Sequence, residues 1–220
     1  QITIPVGVNI DGDGRSITTI HSTYPATGGS YDYWINLVSA TENTNGNQFI
    51  RNVTFDGSNT TCFNGIFIKA RGNVAIYNCT IKNFKLPGVY WKGSLQSYGV
   101  EPIAYSVGNT FYNNIVDNCS NRMYPDSISN GGSGGGLLWI SGQQDMIIHD
   151  NLLSDTSRVN GRNGDIIFSV EGNLKGLKYY NNESWIDPNI STLSGNVPWN
   201  ISLEFWNDRG GMEFYNNIFH

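Results

Sequence analysis

Cationic, acidic and aromatic side chains recur along the chain in a combination suited to binding sugar polymers. Cations form ion pairs with the carboxylates of acidic sugars, and flat aromatic rings pack against pyranose faces. Paired carboxylates act as general acid and base, or as acid and nucleophile, in the cleavage of glycosidic bonds. The candidate catalytic residues are Lys69, Arg71, Glu171, Glu204 and Asp208. The candidate substrate-binding residues are Tyr90, Trp91, Tyr105, Trp139, Trp206 and Arg209.

Local alternation predicts which of these side chains face outward. Lys69 and Arg71 occupy alternate positions of a predicted strand. The positions on its other side are apolar: Ile66, Ile68 and Ala70. Because successive residues of a strand point to opposite faces, both charges are predicted to lie outside. The alternative is that they form an ordinary solvated strand face.

A six-residue pattern repeats along the chain and defines the elements that position these residues. Its best copy is the segment 76–81, Ile-Tyr-Asn-Cys-Thr-Ile, and the copies begin 26 to 37 residues apart. This distance is too long for hairpins and fits one turn of a solenoid with a variable loop. The central pairs of the copies form two columns: Asn52, Asn78, Asn113, Asp150, Asn181 and Asn216, followed by Val53, Cys79, Asn114, Asn151, Asn182 and Asn217.

The repeat resembles that of right-handed parallel β-helix proteins, the architecture of the pectate-lyase-like superfamily and related secreted proteins that act on polysaccharides. The resemblance implies an all-β fold with one β-helix (β-solenoid) domain over residues 1–220, about six coils, and long loops on one flank. Like residues of successive coils then lie about 4.8 Å apart, so the Asn side chains can bond to one another in a ladder.

The resemblance also implies two chemistries. Lyases of this architecture remove a proton beside a uronate with a Lys, Arg or His base, and a cation or Ca²⁺ neutralises the carboxylate. Lys69, Arg71 and His149 are the candidates for that base. Hydrolases use paired carboxylates, for which Glu171, Glu204 and Asp208 are the candidates. The known hydrolase and pectate-lyase signatures are absent, and His149 has a structural alternative as one member of a row of tyrosines.

The predicted function is therefore a secreted or cell-surface, carbohydrate-directed β-helix, either as a polysaccharide lyase or as a glycoside hydrolase. The alternative is a non-catalytic adhesin, stalk or passenger domain, and a weaker alternative is binding to ice. Residues 82–101 and 117–135 are predicted to be long loops, which are usual places for ligand binding in repeat proteins.

Composition limits the partners. With 13 basic and 18 acidic residues the chain has a net charge of −5 and no basic stripe that could follow a phosphate backbone, so nucleic acid is not expected. No apolar run approaches a membrane span. Neither end has a recognisable cap, so neighbouring domains of a longer chain are expected.

The three cysteines, Cys62, Cys79 and Cys119, are too few for a disulfide scaffold and follow no metal-binding spacing. They are predicted to be buried thiols, with a Cys62–Cys79 disulfide as the alternative.

Overall fold

The computed structural model describes residues 1–23, 33–58, 64–96, 100–119, 136–155, 166–186, 199–204 and 210–220. The described residues form β-strands and their connections, and no helix occurs among them. Consequently, no described helix is long and apolar enough to cross a bilayer.

Twenty-four short strands follow one another along the chain. The first twelve are β1 (Ile2–Thr3), β2 (Ile10–Asp11), β3 (Thr19–His21), β4 (Tyr33–Val38), β5 (Thr44–Arg51), β6 (Thr54–Asp56), β7 (Asn64–Lys69), β8 (Arg71–Tyr77), β9 (Thr80–Lys82), β10 (Val89–Lys92), β11 (Ser106–Val107) and β12 (Thr110–Tyr112). The others are β13 (Ile115–Asp117), β14 (Leu138–Ser141), β15 (Gln143–Gln144), β16 (Ile147–His149), β17 (Leu152–Asp155), β18 (Ile166–Glu171), β19 (Leu174–Lys175), β20 (Lys178–Tyr180), β21 (Glu183–Ile186), β22 (Trp199–Glu204), β23 (Glu213–Tyr215) and β24 (Ile218–Phe219).

These strands assemble into three seven-stranded parallel sheets and one of three strands. Sheet A has the order β1-β4-β7-β10-β14-β18-β22, and sheet B the order β2-β5-β8-β12-β16-β20-β23. Sheet C has the order β3-β6-β9-β13-β17-β21-β24, and sheet D consists of β11, β15 and β19. The chain visits sheets A, B and C in the same sequence throughout, so the predicted all-β fold with stacked parallel strands is confirmed and is compatible with a β-helix.

The corner between sheets B and C explains the first Asn column. Its six residues all have positive φ, between 53° and 61°. Asn and Asp tolerate this left-handed conformation better than other non-glycine residues, which is why the column is almost pure Asn. Asn78 Nδ2 donates to Asn52 Oδ1 at 2.8 Å, and Asn113 Nδ2 donates to Asn78 Oδ1 at 2.9 Å. The predicted ladder is confirmed at these positions.

The second Asn column forms a buried ladder beside the first. Asn151 Oδ1 accepts hydrogen bonds from the backbone N–H and the side chain of Asn114, at 2.9 and 3.2 Å. Asn151 Nδ2 donates to the carbonyl of Phe111 at 3.0 Å and to Asn182 Oδ1 at 2.9 Å. Because the corner is buried, these side chains satisfy backbone groups that water cannot reach.

The core lies between the sheets and is filled by the inward residue of each alternating strand. On sheet A two inward columns run across four adjacent strands. They are Ile35, Ile66, Val89 and Leu138, and Leu37, Ile68, Trp91 and Ile140, all at most 2% exposed. The residues between them point outward and form the outer face of sheet A.

The outer face of sheet B carries a column of stacked rings. Tyr77, Tyr112, His149, Tyr180 and Tyr215 lie in register, with successive centroids 4.8 to 5.0 Å apart and planes within 5°. His149 is therefore a structural member of a ring column on sheet B, and it does not join Lys69 on sheet A.

The described cysteines, Cys79 and Cys119, are buried and are not in a disulfide. The Cys62–Cys79 disulfide is therefore wrong, and Cys62 itself lies outside the described residues. Burial raises the pKa of the Cys79 thiol to about 11, which keeps it protonated at neutral pH.

The predicted loop over residues 82–101 is wrong in its middle. Val89–Lys92 forms β10, the central strand of sheet A between β7 and β14. Its sequence, Val-Tyr-Trp-Lys, repeats the residue classes of Ile66 to Lys69 at the end of β7. The strand was missed because the hexads, which lie in sheets B and C, do not extend into sheet A.

Candidate functional site

The outer face of sheet A carries a column of two lysines. Lys69 and Lys92 are register partners on β7 and β10, and Ser141 on β14 continues the column. Both lysines are half-buried. Neither ammonium group has a hydrogen bond or ion pair with any residue in the described part of the chain.

Three other cations among the described residues are in ion pairs, unlike Lys69 and Lys92. Arg51 bonds Asp11 at 2.6 Å, Lys82 lies 3.6 Å from Asp56, and Lys178 lies 3.5 Å from Glu213. Two neighbouring ammonium groups repel each other, and partial burial strengthens that repulsion. The negative charge of Glu42 offsets it only in part. The arrangement favours an anion from outside the chain.

A second outward column, two residues earlier on the same strands, is aromatic. Phe67, Tyr90 and Trp139 are register partners on β7, β10 and β14. The Tyr90 and Trp139 rings stack at 4.2 Å and 11°, and the Phe67 and Tyr90 centroids are 5.3 Å apart. Tyr90 is only 4% exposed, whereas Trp139 is half-buried. The accessible ring surface of this column therefore belongs to Trp139 and Phe67, which are both half-buried.

Glu42, in the connection after β4, stands beside the lysine column. Its Oε1 accepts hydrogen bonds from Ser94 Oγ and from the N–H of Leu95, both at 2.9 Å. Its Oε2 is buried and has no hydrogen-bond partner within the described ranges. A buried carboxylate oxygen without a donor is costly, so it is a further polar group that a ligand could satisfy.

The electrostatics of Lys92 follow from this setting. Burial is the main reason that the pKa of Lys92 is lowered from its ordinary value of 10.5, and the neighbouring charge of Lys69 lowers it further. The negative charge of Glu42 acts in the opposite direction. The charged form of Lys92 is thus disfavoured in the folded chain, and a bound carboxylate would stabilise it.

Replacing Lys92 by Met is expected to raise the free energy of unfolding by on the order of 1 kcal/mol, because it removes a half-buried, unpaired charge. The pKa of Lys92 is lower in the folded chain than its ordinary 10.5, so between the two values the unfolded chain holds more protons. Stability therefore rises with pH across that interval, and below it the cost of the charge is fully present.

Urea unfolding at a series of pH values measures this difference between wild type and Lys92→Met. The variant should lose the increase in the free energy of unfolding at alkaline pH that Lys92 contributes. Lys175→Met, at an exposed position of β19, is the matched control and should keep the wild-type increase in the free energy of unfolding at alkaline pH. A less stable Lys92→Met protein, or one with the wild-type pH dependence, contradicts the prediction.

Three predicted site residues meet on this face. Lys69, Tyr90 and Trp139 belong to its two outward columns. Glu171 and Glu204 are register partners on β18 and β22 of the same sheet. Their roles in catalysis or binding remain predictions.

Arg71 does not face outward, so that part of the prediction is wrong. Ala70, with φ of 53°, separates β7 from β8 and interrupts the alternation on which the prediction depended. Arg71 is 2% exposed, and burial lowers its pKa from the ordinary value. Its guanidinium donates four hydrogen bonds of 2.8 to 2.9 Å, to Ile4, Val38, Ser39 and Gln48.

Two predicted substrate-binding residues also lie elsewhere. Trp91 is fully buried in the core because it follows Tyr90 and therefore points to the opposite face of β10. Tyr105 precedes β11 and does not belong to sheet A. The remaining predicted residues, Trp206, Asp208 and Arg209, lie outside the described residues.

Lys92 and Glu42 are the site residues that the sequence prediction missed. The sequence did indicate Lys92, since Lys is the last residue of both the Ile-Phe-Ile-Lys strand and the Val-Tyr-Trp-Lys strand. The sequence did not indicate Glu42, because its carboxylate binds Ser94 and acts on the charge of Lys92 from a connection about fifty residues earlier in the chain. Its position depends on how successive turns stack.

Metal binding has no support among the residues that the structure describes, where no group of three or more His, Cys, Asp or Glu side chains could hold an ion. The Ca²⁺ that the resemblance suggested therefore has no identified ligands within those ranges.

Comparison with known proteins returned no relative. The chain matches no family model, no curated protein and no solved structure. Its function is therefore inferred from the chemistry of the sheet A face.

Proposed function

We propose that this chain is a secreted or cell-surface β-helix of the right-handed, pectate-lyase-like kind, with about six coils, and that the outer face of sheet A binds an acidic polysaccharide. One observation carries the proposal. Lys69 and Lys92 are half-buried neighbours that form no hydrogen bond or ion pair among the described residues, as expected of a site that receives a carboxylate from a ligand.

The neighbouring groups suit a sugar ligand. Trp139 offers a half-buried ring two residues before Ser141, and aromatic rings support pyranose faces. Ser141 and Glu42 add groups that exchange hydrogen bonds with hydroxyls. The combination of cations, accessible rings and polar groups is typical of a uronate-containing polymer bound along a sheet.

An enzymatic form of this proposal uses the same residues. Lys69 would neutralise a uronate carboxylate, and Lys92, as the neutral amine, would take the proton from the adjacent carbon. The C–H electron pair would form a carbon–carbon double bond as the glycosidic C–O bond breaks, and the departing oxygen would take a proton from water. The lowered pKa of Lys92 increases the share of neutral amine at a given pH. The Glu171 and Glu204 carboxylates are the alternative, hydrolytic pair.

Replacing both lysines by Gln is the experiment that tests the proposal. Isothermal titration with uronate-containing oligosaccharides at low salt should give a dissociation constant raised about tenfold for each lysine lost, since hydrogen bonds to charged groups contribute about 1.5–3 kcal/mol. Added salt should weaken wild-type binding. Lys175→Gln is the control and should bind like wild type.

The proposal is wrong if the wild-type chain binds no uronate-containing oligosaccharide, or if Lys69→Gln/Lys92→Gln binds as tightly as wild type. Activity is followed separately, by the ultraviolet absorbance of unsaturated sugars for a lyase and by new reducing ends for a hydrolase.

A non-catalytic adhesin or stalk is the second candidate, and the side-chain ladders favour it. The five stacked rings on sheet B and the two Asn columns couple successive turns of the chain along its length. Such coupling suits a rigid, extended support. Retained binding without any product from a panel of polysaccharides would favour this candidate over the enzyme.

A further inference from the structure

Tyrosine rings of successive turns lie face to face on the outer surface of sheet B. Tyr77 and Tyr112 stack with centroids 4.8 Å apart and planes at 5°, and Tyr180 and Tyr215 stack at 4.8 Å and 2°. His149 lies between the two pairs, with its ring 5.0 Å from Tyr112 and 5.0 Å from Tyr180. The column therefore consists of two tyrosine pairs that one imidazole separates.

The tyrosines of this column are accessible to solvent. Tyr215 is 42% exposed, and Tyr77, Tyr112 and Tyr180 are half-buried. Because the ring faces are covered by neighbouring rings, solvent reaches the rings at their edges, where the hydroxyl group and the two ortho carbons lie. Those are the atoms at which a phenol is oxidised and forms new bonds.

The strand register of sheet B keeps each pair together. Tyr77 is the register partner of Tyr112, and Tyr180 is the register partner of Tyr215. Holding two reactants side by side makes their combination effectively unimolecular. Joining the rings of a pair therefore needs rotation of the side chains and no change in strand register.

Three other described tyrosines lack this combination of closeness and exposure. Tyr33 and Tyr90 have centroids 6.1 Å apart and planes at 38°, and they are only 3% and 4% exposed. Tyr179 is fully buried in the core. An oxidant that arrives from solvent therefore meets the sheet B column before these three rings.

We propose that the column is a site of oxidative cross-linking, at which a peroxide acting through a peroxidase joins Tyr77 to Tyr112 and Tyr180 to Tyr215 as dityrosine. In each pair both phenols lose one electron and the hydroxyl proton, and the two phenoxyl radicals form a carbon–carbon bond between their ortho carbons. The hydrogens on those carbons then move as protons to the oxygens, which restores both phenols. The two electrons and two protons released for each link reduce one hydrogen peroxide to two waters.

The protonation of the column agrees with this balance. Burial is the main reason that the pKa values of Tyr112 and Tyr180 are raised above the ordinary 10.0. Both rings are therefore phenols at neutral pH, and each releases its proton as it is oxidised.

The links would tie together turns that are distant in the chain. Each link joins residues 35 positions apart, on β8 and β12 or on β20 and β23. A covalent link that closes such a loop restricts the unfolded chain and stabilises the folded one. The cross-linked chain should unfold at a temperature higher by on the order of 5 °C. This inference does not rest on the proposed sugar binding.

Hydrogen peroxide and a peroxidase, added to a dilute solution of the full chain, test the inference. Proteolytic peptides are then searched by mass spectrometry for linked pairs that lack two hydrogens. The expected products contain Tyr77 with Tyr112, and Tyr180 with Tyr215. When the chain is oxidised in urea, where it is unfolded, these two links should form no more readily than links between other tyrosines.

Three variants locate the links. Tyr112→Phe keeps a stacked ring that cannot form a phenoxyl radical, so it should remove the first link and leave the second at its wild-type yield. Tyr215→Phe should do the reverse, so each variant is the matched control of the other. His149→Tyr should add links from position 149 to Tyr112 or Tyr180, because it fills the gap between the pairs. Circular dichroism checks that the variants are folded.

Every outcome bears on the inference. Formation of the two expected links, each lost in its own variant, supports it. It is overturned if the folded chain gives no dityrosine within one molecule, or if both links persist in Tyr112→Phe. It is also overturned if Tyr33, Tyr90 or Tyr179 is linked as readily as the column. An unfolding temperature that the links leave unchanged overturns their stabilising role.

Discussion

Replacing Trp91 by Ala is expected to lower the free energy of unfolding by about 3–5 kcal/mol, because it leaves a large cavity in the middle of the core. Trp91 is fully buried, and its ring packs edge-on against Phe111, with centroids 6.4 Å apart and planes at 80°. It lies at the centre of sheet A, where the strands on both sides limit collapse into the cavity. Urea unfolding followed by far-ultraviolet circular dichroism measures the loss.

Trp91→Phe is the matched variant and should cost clearly less. Phe keeps an aromatic ring in the same inward column and removes the indole N–H, which is buried and has no hydrogen-bond partner among the residues described. Losing a polar group that was already unsatisfied carries no hydrogen-bond penalty and offsets part of the lost packing. If Trp91→Ala were as stable as Trp91→Phe, Trp91 would not be a core residue, and the predicted ligand-binding role would regain support.

Replacing Asn151 by Ala should also destabilise the chain by about 3–5 kcal/mol, because it removes one rung of the buried ladder. The backbone N–H and the side chain of Asn114 lose their acceptor, and the carbonyl of Phe111 loses a donor. Asn151 is 3% exposed, so water cannot replace these bonds without opening the corner. Chemical unfolding again measures the effect.

Asn113→Gly is the control for the exposed ladder. Asn113 is exposed and has φ of 53°, a conformation that Gly adopts without strain, so the substitution removes only the side-chain bond to Asn78. Its cost should stay within about 1 kcal/mol. Equal costs for Asn151→Ala and Asn113→Gly would mean that the buried ladder contributes no more than the exposed one.

Prediction of an all-β fold with stacked parallel strands succeeded because its signal is local and repeated. A corner between two strands needs a left-handed residue, Asn satisfies that need, and the Asn beside it satisfies the buried backbone. Each turn therefore carries the same short pattern, and the pattern is visible without knowing which strands touch. The hexads account for six of the seven strands in sheet B, and β2 is the one outside them.

Prediction of which side chains face outward succeeded only for residues whose direction follows from alternation within one strand. Lys69 and Trp139 are such residues, and both lie on the outer face of sheet A. The prediction for Arg71 is wrong because the chain turns at Ala70, which has left-handed backbone angles, and a new strand with its own alternation begins after it. The prediction for Trp91 is wrong because its strand carries no hexad and is predicted as a loop, in which alternation gives no direction for the side chain.

The amino-acid sequence by itself determined that this chain is all-β, that its strands stack in parallel, and that Asn columns run along the stack, because those features come from conformational needs repeated in every turn. Only the tertiary structure decided that Lys69 and Lys92 are neighbours, that Glu42 stands beside them, and that Arg71 is buried. The hydrogen-bonded register between strands determines which residues become neighbours. Because the connections between turns vary in length, the spacing of residues in the sequence does not predict that register.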